Sequence, residues 1–225
     1  MALRVALLTA ALAAGAAATA PAAADCKAHP ALSPAACCVQ LVSPPAWTAS
    51  FSTTAGGGAS FNVAVNRSWS PLGADRFYQM VACGYLDSRA EANNNAGFFR
   101  VVPNFVVQFG IAGVPAVSAA WNALVIKDDP VLVSNTAGTF SFATAGPDTR
   151  TTQLFVNLVD NSGLDAQGFS PFGKTDAAGL AAIGHIYAGY GQNPDQDSIY
   201  QQGDAYLKAQ FPKLDYITAC VNTTA

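Results

Sequence analysis

Histidine is nearly absent from this chain, with only His29 and His185 in 225 residues. Chemistry built on several imidazoles, such as a three-histidine metal site, is therefore excluded by counting. Charge is scarce as well: Asp, Glu, Lys and Arg make up 11% of the residues, against about 25% in an ordinary globular protein. Eleven Lys and Arg are interspersed with 14 Asp and Glu for a net charge of −3. No basic block offers the clustered cations that a phosphate backbone requires, which argues against nucleic acid as a partner. Internal repeats and paired Cys-x-x-Cys spacing are also missing. What is present is apolar. The residues AVILMFWYC reach 51%, which supports a packed core and argues against a disordered chain. The length fits one domain, or one domain with appendages.

The N-terminus has the layout of a secretory signal peptide. Arg4 supplies the charged start, an Ala-, Leu- and Val-rich run follows, and Ala22-Ala23-Ala24 forms a small-residue exit. Cleavage is expected before Asp25, leaving residues 1–24 as the signal and an exported chain, secreted or lumenal/periplasmic, without membrane attachment. A transmembrane anchor fits less well. The run is dominated by Ala and broken by Pro21, short of the ~20 strongly apolar residues that a span requires. All five cysteines, Cys26, Cys37, Cys38, Cys83 and Cys220, lie beyond the cut, in a compartment where disulfides persist. Cys26 with Cys37 or Cys38 would close a short loop, and Cys83 with Cys220 is a second candidate pairing. Zinc binding by Cys26, His29, Cys37 and Cys38 is disfavoured by their spacing and by Pro30 and Pro34, and no metal or other cofactor is expected.

Residues 25–46 are Cys- and Pro-rich and aperiodic, and read as an extension ahead of a domain spanning 47–225. Phe61, Val63 and Val65 alternate with Asn62, Ala64 and Asn66 after Gly56-Gly57-Gly58, the pattern of a hairpin. Phe77, Met80 and Val81 predict a helix over 71–83, stopped near Gly84. Short apolar runs then recur at 98–102, 106–111, 138–145, 153–159 and 169–174, which suggests a sandwich or barrel of short strands. Further helices are predicted over 176–188 and 195–210, and a closing strand over 214–221.

One motif misleads. Residues 168–175, Gly-Phe-Ser-Pro-Phe-Gly-Lys-Thr, match the phosphate-loop pattern GxxxxGK[ST]. Only 50 residues follow Thr175, too few for the parallel strands that normally succeed such a loop. Pro171 also removes an N–H from a loop whose task is to present N–H groups. No nucleotide is expected.

Two blocks carry a more specific message. Residues 98–110, Phe-Phe-Arg-Val-Val-Pro-Asn-Phe-Val-Val-Gln-Phe-Gly, contain aromatic-x-Arg, Pro-x-Phe and Gln-x-Gly in succession. Residues 138–149 read Gly-Thr-Phe-Ser-Phe-Ala-Thr-Ala-Gly-Pro-Asp-Thr, followed by Thr152-Gln153-Leu154-Phe155, Leu164-Asp165 and Phe172-Gly173-Lys174. In this order they resemble the cyclophilins over roughly residues 51–188, with a last strand near Ile217. The resemblance implies a mainly β fold, a closed eight-stranded antiparallel barrel capped by two helices, here with an extra C-terminal helical insertion between Gln192 and Leu214. It implies a peptidyl-prolyl cis-trans isomerase acting on proline-containing polypeptides as a monomer.

By the same resemblance Arg100 is the catalytic residue. Phe105, Val106, Phe155 and Leu164 form the proline pocket, Gln108 orients Arg100 and binds substrate, and Ala143, Thr144, Ala145 and Gln153 line the adjoining groove. Two positions depart from the family. Phe169 stands where the family has a pocket histidine, and Gly163 where it has the rim tryptophan on which cyclosporin leans. The scarcity of histidine is compatible with this chemistry, because rotating an imide needs a fixed charged donor and no general base. The leading expectation is a foldase for exported proteins. The alternative is a proline-loop binding or assembly factor with incidental isomerase activity.

Overall fold

The computed structural model describes residues 39–89 and 91–223. The expected signal peptide, His29, Cys26, Cys37 and Cys38 lie outside the described residues. Eight strands, β1 (Ala46–Thr53), β2 (Ser60–Asn66), β3 (Arg100–Val102), β4 (Val106–Phe109), β5 (Thr139–Phe142), β6 (Leu154–Asn157), β7 (Pro171–Lys174) and β8 (Ile217–Asn222), form one antiparallel sheet. Their order is β3-β4-β6-β5-β7-β2-β1-β8. The sheet curls until its two ends meet just ahead of the edge strands. There Gly97 bridges Tyr216, Phe98 N–H donates to the Asp215 carbonyl at 2.9 Å, and Ile217 N–H donates to the Ala96 carbonyl at 3.0 Å. Closure therefore rests on one short stretch of pairing.

The period of two decides what fills the barrel. In β2, Phe61, Val63 and Val65 are buried while Ser60, Asn62 and Ala64 are exposed. Their inward side chains join Phe51, Phe109, Phe140, Phe142 and Phe172 in one core, with Phe51 stacked on Phe61 at 4.7 Å between ring centroids. A barrel filled by rings leaves no lumen for a small ligand. Strands β4, β5 and β6 are buried on both faces. Val107, Phe109, Leu154 and Val156 point into the core, whereas the buried Val106 and Phe155 do not belong to it and face outward.

Among the described residues five α-helices surround the sheet: α1 (Pro71–Ala82), α2 (Pro115–Asn122), α3 (Ala177–Ile183), α4 (Gln196–Gln202) and α5 (Asp204–Gln210). Helix α1 starts on Pro71, whose missing N–H costs nothing at that position. Its first turn is capped from a distant loop: Asp129 accepts from Gly73 N at 2.8 Å and from Ser70 Oγ at 2.6 Å. Phe77 and Met80 of α1 and Ile183 at the end of α3 enter the barrel core, so these two helices cap it. Arg76 of α1 is buried, and that burial lowers its pKa to about 10. Its Nη1 donates to the carbonyls of Leu124 at 2.6 Å and Thr151 at 2.9 Å.

Several expectations are corrected. The helix predicted over 176–188 has Asp176 as its cap, accepting from Gly179 N at 2.8 Å, but ends at Ile183. The amide of Tyr187 is taken instead by Asp215. The helix predicted over 195–210 is two helices. Gly203 breaks it at φ 58°, because the chain there lies so close to Gly113 that a Cβ would sit 2.0 Å from the Gly113 carbonyl. Helix α2 was not predicted at all, although Pro115 opens it and Val117 and Trp121 bury one face at a spacing of four. The pairing of Cys83 with Cys220 is not made. Cys220 is a free, buried thiol, its strand held by Asp87, which accepts from Cys220 N at 2.6 Å. The false phosphate loop is the barrel strand β7 followed by Asp176 and α3. Pro171 lies in the sheet opposite Ser141 and the backbone of Gly173 packs against Ala64.

Candidate active site

The register of three neighbouring strands assembles the outward face. Arg100 pairs with Gln108 across β3 and β4, and Gln108 pairs with Phe155 across β4 and β6. With side chains alternating, all three project to the same side of the sheet. The turn between β3 and β4 carries Phe105, whose ring lies 5.7 Å from the Arg100 guanidinium carbon. The loop after β6 carries Leu164 and Phe169. Together with Val106, Ala143 and Thr144 they enclose a cavity of about 200 Å³. Phe169 meets Phe155 edge to face at 5.3 Å, so the residue standing in the histidine position makes an apolar wall.

A second cavity of about 460 Å³ adjoins the first, sharing Gln108, Ala143 and Thr144. Ala145 and Gln153 line this larger space and not the smaller one. The eleven predicted site residues thus come together, divided between two connected hollows. Thr144 turns its hydroxyl back onto its own loop, donating to the Gly146 carbonyl and accepting from Gly146 N at 3.0 Å, so it presents an edge and no free side-chain donor.

The polar groups form a directional chain. Arg100 Nη1 donates to Gln108 Oε1 at 3.1 Å, Gln108 Nε2 to Gln153 Oε1 at 2.7 Å, and Gln153 Nε2 to Gln196 Oε1 and to Tyr200 Oη, both at 3.0 Å. Arg100 Nε donates to Gln192 Oε1 at 2.7 Å. Arg100 is half-buried, and desolvation lowers its pKa from the ordinary guanidinium value. A guanidinium nevertheless stays charged in proteins.

The pocket loop is fastened by Asp165, which accepts from Ser134 Oγ at 2.5 Å, Asn135 N at 2.9 Å and Asn135 Nδ2 at 2.7 Å. Burial acts to raise its pKa, but these hydrogen bonds outweigh it and hold the carboxyl below its usual range. Asn135 Nδ2 also donates to the Phe169 carbonyl at 2.8 Å, and Asn161 Nδ2 to the Phe105 carbonyl at 2.9 Å. Sequence reasoning missed Gln192, Gln196 and Tyr200, along with Asn122, Val125, Thr149 and Thr151 of the larger cavity. The insertion offers no motif, and its placement beside Arg100 depends on tertiary packing.

Residues 49–202 match the family described as cyclophilin type peptidyl-prolyl cis-trans isomerase/CLD. The chain belongs to the cyclophilins. It is 36% identical over 110 residues to a peptidyl-prolyl cis-trans isomerase of Acinetobacter baylyi, covering 47% of this chain and 55% of that protein. It is 31% identical over 127 residues to peptidyl-prolyl cis-trans isomerase A of Dickeya dadantii, covering 54% and 62%. The match thus spans somewhat over half the length of each relative. Among solved structures, a cyclophilin type peptidyl-prolyl cis-trans isomerase of Cryptosporidium parvum superposes with a TM-score of 0.53 at 17% identity, covering 80% of this chain and 99% of that one. That likeness shows the shared cyclophilin barrel.

Proposed function

We propose that this cyclophilin is a peptidyl-prolyl cis-trans isomerase that works on X–Pro bonds of exported polypeptides, with Arg100 as the catalytic residue. The observation that carries the reading is a guanidinium fixed by two amide oxygens at the rim of an apolar cavity of about 200 Å³. Uncatalysed rotation about X–Pro takes tens to hundreds of seconds, because the amide has partial double-bond character and a barrier of ~18–20 kcal/mol. No bond is broken and no net proton moves. Twisting returns the lone pair to the imide nitrogen, and an N–H donor aimed at that nitrogen stabilises the twisted state.

Arg100 has five N–H groups and gives two of them to Gln192 and Gln108, which leaves three for substrate. Shortening ~100 s to about a millisecond requires roughly 7 kcal/mol at 1.36 per decade. One preorganised charged donor contributes about 3–4 kcal/mol of that. The remainder falls to the cavity of Phe105, Val106, Phe155, Leu164 and Phe169, which grips the proline ring and excludes water. The larger groove takes the peptide on the other side of the bond.

A protease-coupled assay on X–Pro peptides tests the reading: catalysed isomerisation at micromolar protein is expected, and its absence in a folded sample contradicts it. Export rests on residues 1–24, and a mature mass starting at Asp25 is its expected signature. A disulfide from Cys83 to one of Cys26, Cys37 or Cys38 belongs to the same proposal. Cys220 is free while Cys83 is not among the free thiols. One turn before Cys83, Gln79 Nε2 donates to the carbonyls of Val39 and Leu41 at 3.1 and 2.9 Å, which seats the end of the extension on α1.

A further inference from the structure

The insertion that separates α3 from β8 touches the polar chain at both of its ends. At one end Gln192 accepts from Arg100 Nε at 2.7 Å; at the other, Gln196 and Tyr200 accept from Gln153 Nε2 at 3.0 Å. We propose that the insertion is a positioning element for catalysis, with Gln192 as the residue that fixes the plane of the Arg100 guanidinium. The inference rests on the isomerase reading above.

Three observations carry it. First, β3 is an edge strand with β4 on one side only, and the amide of Val101 on its other side donates to the Gly191 carbonyl at 2.9 Å. That backbone bond places the residue next to Gln192 directly against the strand that bears Arg100. Secondly, the insertion is itself anchored. Ile199, Leu207 and Leu214 bury against Phe99 and Ile111 in a second apolar cluster, with Tyr190, Tyr200 and Tyr206 packed around it. Gln192 therefore projects from a held loop and not from a free one. Thirdly, the two acceptors take different nitrogens of Arg100, Nε by Gln192 and Nη1 by Gln108. One hydrogen bond leaves a guanidinium free to swing about the bond it makes; two on separate nitrogens determine its plane. A donor must be fixed before substrate arrives if its field is to favour the twisted imide, and reorganisation during the reaction would weaken it.

Gln192 is exposed, so replacing it leaves the core untouched. The test measures kcat and KM of the full chain and of Gln192→Leu and Gln192→Glu, together with solvent exchange of the Arg100 Nε–H by NMR. Losing one hydrogen bond to a charged group is expected to lower kcat of Gln192→Leu about tenfold with KM within about twofold. Faster exchange of the Arg100 Nε–H and an unchanged melting temperature should accompany it. Gln192→Glu keeps an acceptor at the same reach and is expected to recover most of kcat. A Gln192→Leu variant with kcat within about twofold of the wild type, or a Gln192→Glu variant as slow as Gln192→Leu, overturns the proposal. Should the wild type itself be inactive, the isomerase reading falls and the exchange measurement still decides: a protected Nε–H that Gln192→Leu exposes upholds the positioning contact, and an unprotected one overturns it.

Discussion

At the scale of single residues, the chemistry assigned to this cyclophilin needs a charge that does not titrate. Arg100 keeps its guanidinium charged despite the desolvation that lowers its pKa, and no histidine among the described residues lines either cavity. Turnover is therefore expected to stay flat from about pH 6 to 8.5, and a bell-shaped kcat/KM profile in that window would point to a general acid or base. Gly163 makes a second residue-level prediction. A side chain built there meets nothing within 4 Å, so the rim that the family closes with tryptophan is open. Cyclosporin inhibition is expected to be weak, and Gly163→Trp to tighten it by about thirtyfold, the worth of an aromatic anchor of ~2 kcal/mol. Nanomolar inhibition of the native chain would contradict this. The residues that line the smaller cavity were legible in the sequence because contiguous blocks carry them in a fixed order. Register turns Phe155 outward opposite Gln108, away from the barrel core.

At the scale of elements, close backbone approach and loop anchoring govern the site. Gly110 follows β4 at φ 103°, and a Cβ there would lie 2.3 Å from the Thr152 carbonyl and 3.0 Å from the Gln153 Cα. Gly110→Ala is expected to lower stability by about 3 kcal/mol and to displace Gln153, read as a drop in melting temperature with weaker peptide binding. An unchanged melt would show that the strand end yields freely. Asp165 ties the loop bearing Leu164 and Phe169 to Asn135 and Ser134. Because its folded pKa lies below the ordinary value, its stabilising effect is present above the usual carboxylate range and lost as pH falls through the folded pKa. The gap in melting temperature between wild type and Asp165→Asn should be open at pH 7, begin to narrow only near pH ~4 and close below the folded pKa; a gap that does not narrow in acid contradicts the assignment. Element boundaries were less legible than element types. Residues 195–210 have helical character throughout, yet the contact between Gly203 and Gly113 that divides them is tertiary. The short helix α2 hid between turn residues despite Pro115 at its start.

At the scale of the whole molecule, a barrel packed with rings supplies a rigid wall, and an insertion with its own apolar cluster closes over one side of it. The barrel could be read from alternation and from the two sequence blocks. The docking of the insertion could not, since Ile199, Leu207 and Leu214 carry no signal of the Phe99 and Ile111 they cover. Peptide mapping under non-reducing conditions should find Cys220 unpaired and Cys83 linked to one of Cys26, Cys37 or Cys38; a Cys83–Cys220 peptide would contradict the fold around β8. The central claim is that one preorganised guanidinium over an apolar cavity accelerates X–Pro rotation. Its most direct test is the catalysed isomerisation rate of an X–Pro peptide with wild type and with Arg100→Ala, melting temperatures matched. The account predicts a loss of about 10²–10³-fold in kcat/KM with the fold intact, and an Arg100→Ala rate within about twofold of wild type would contradict it.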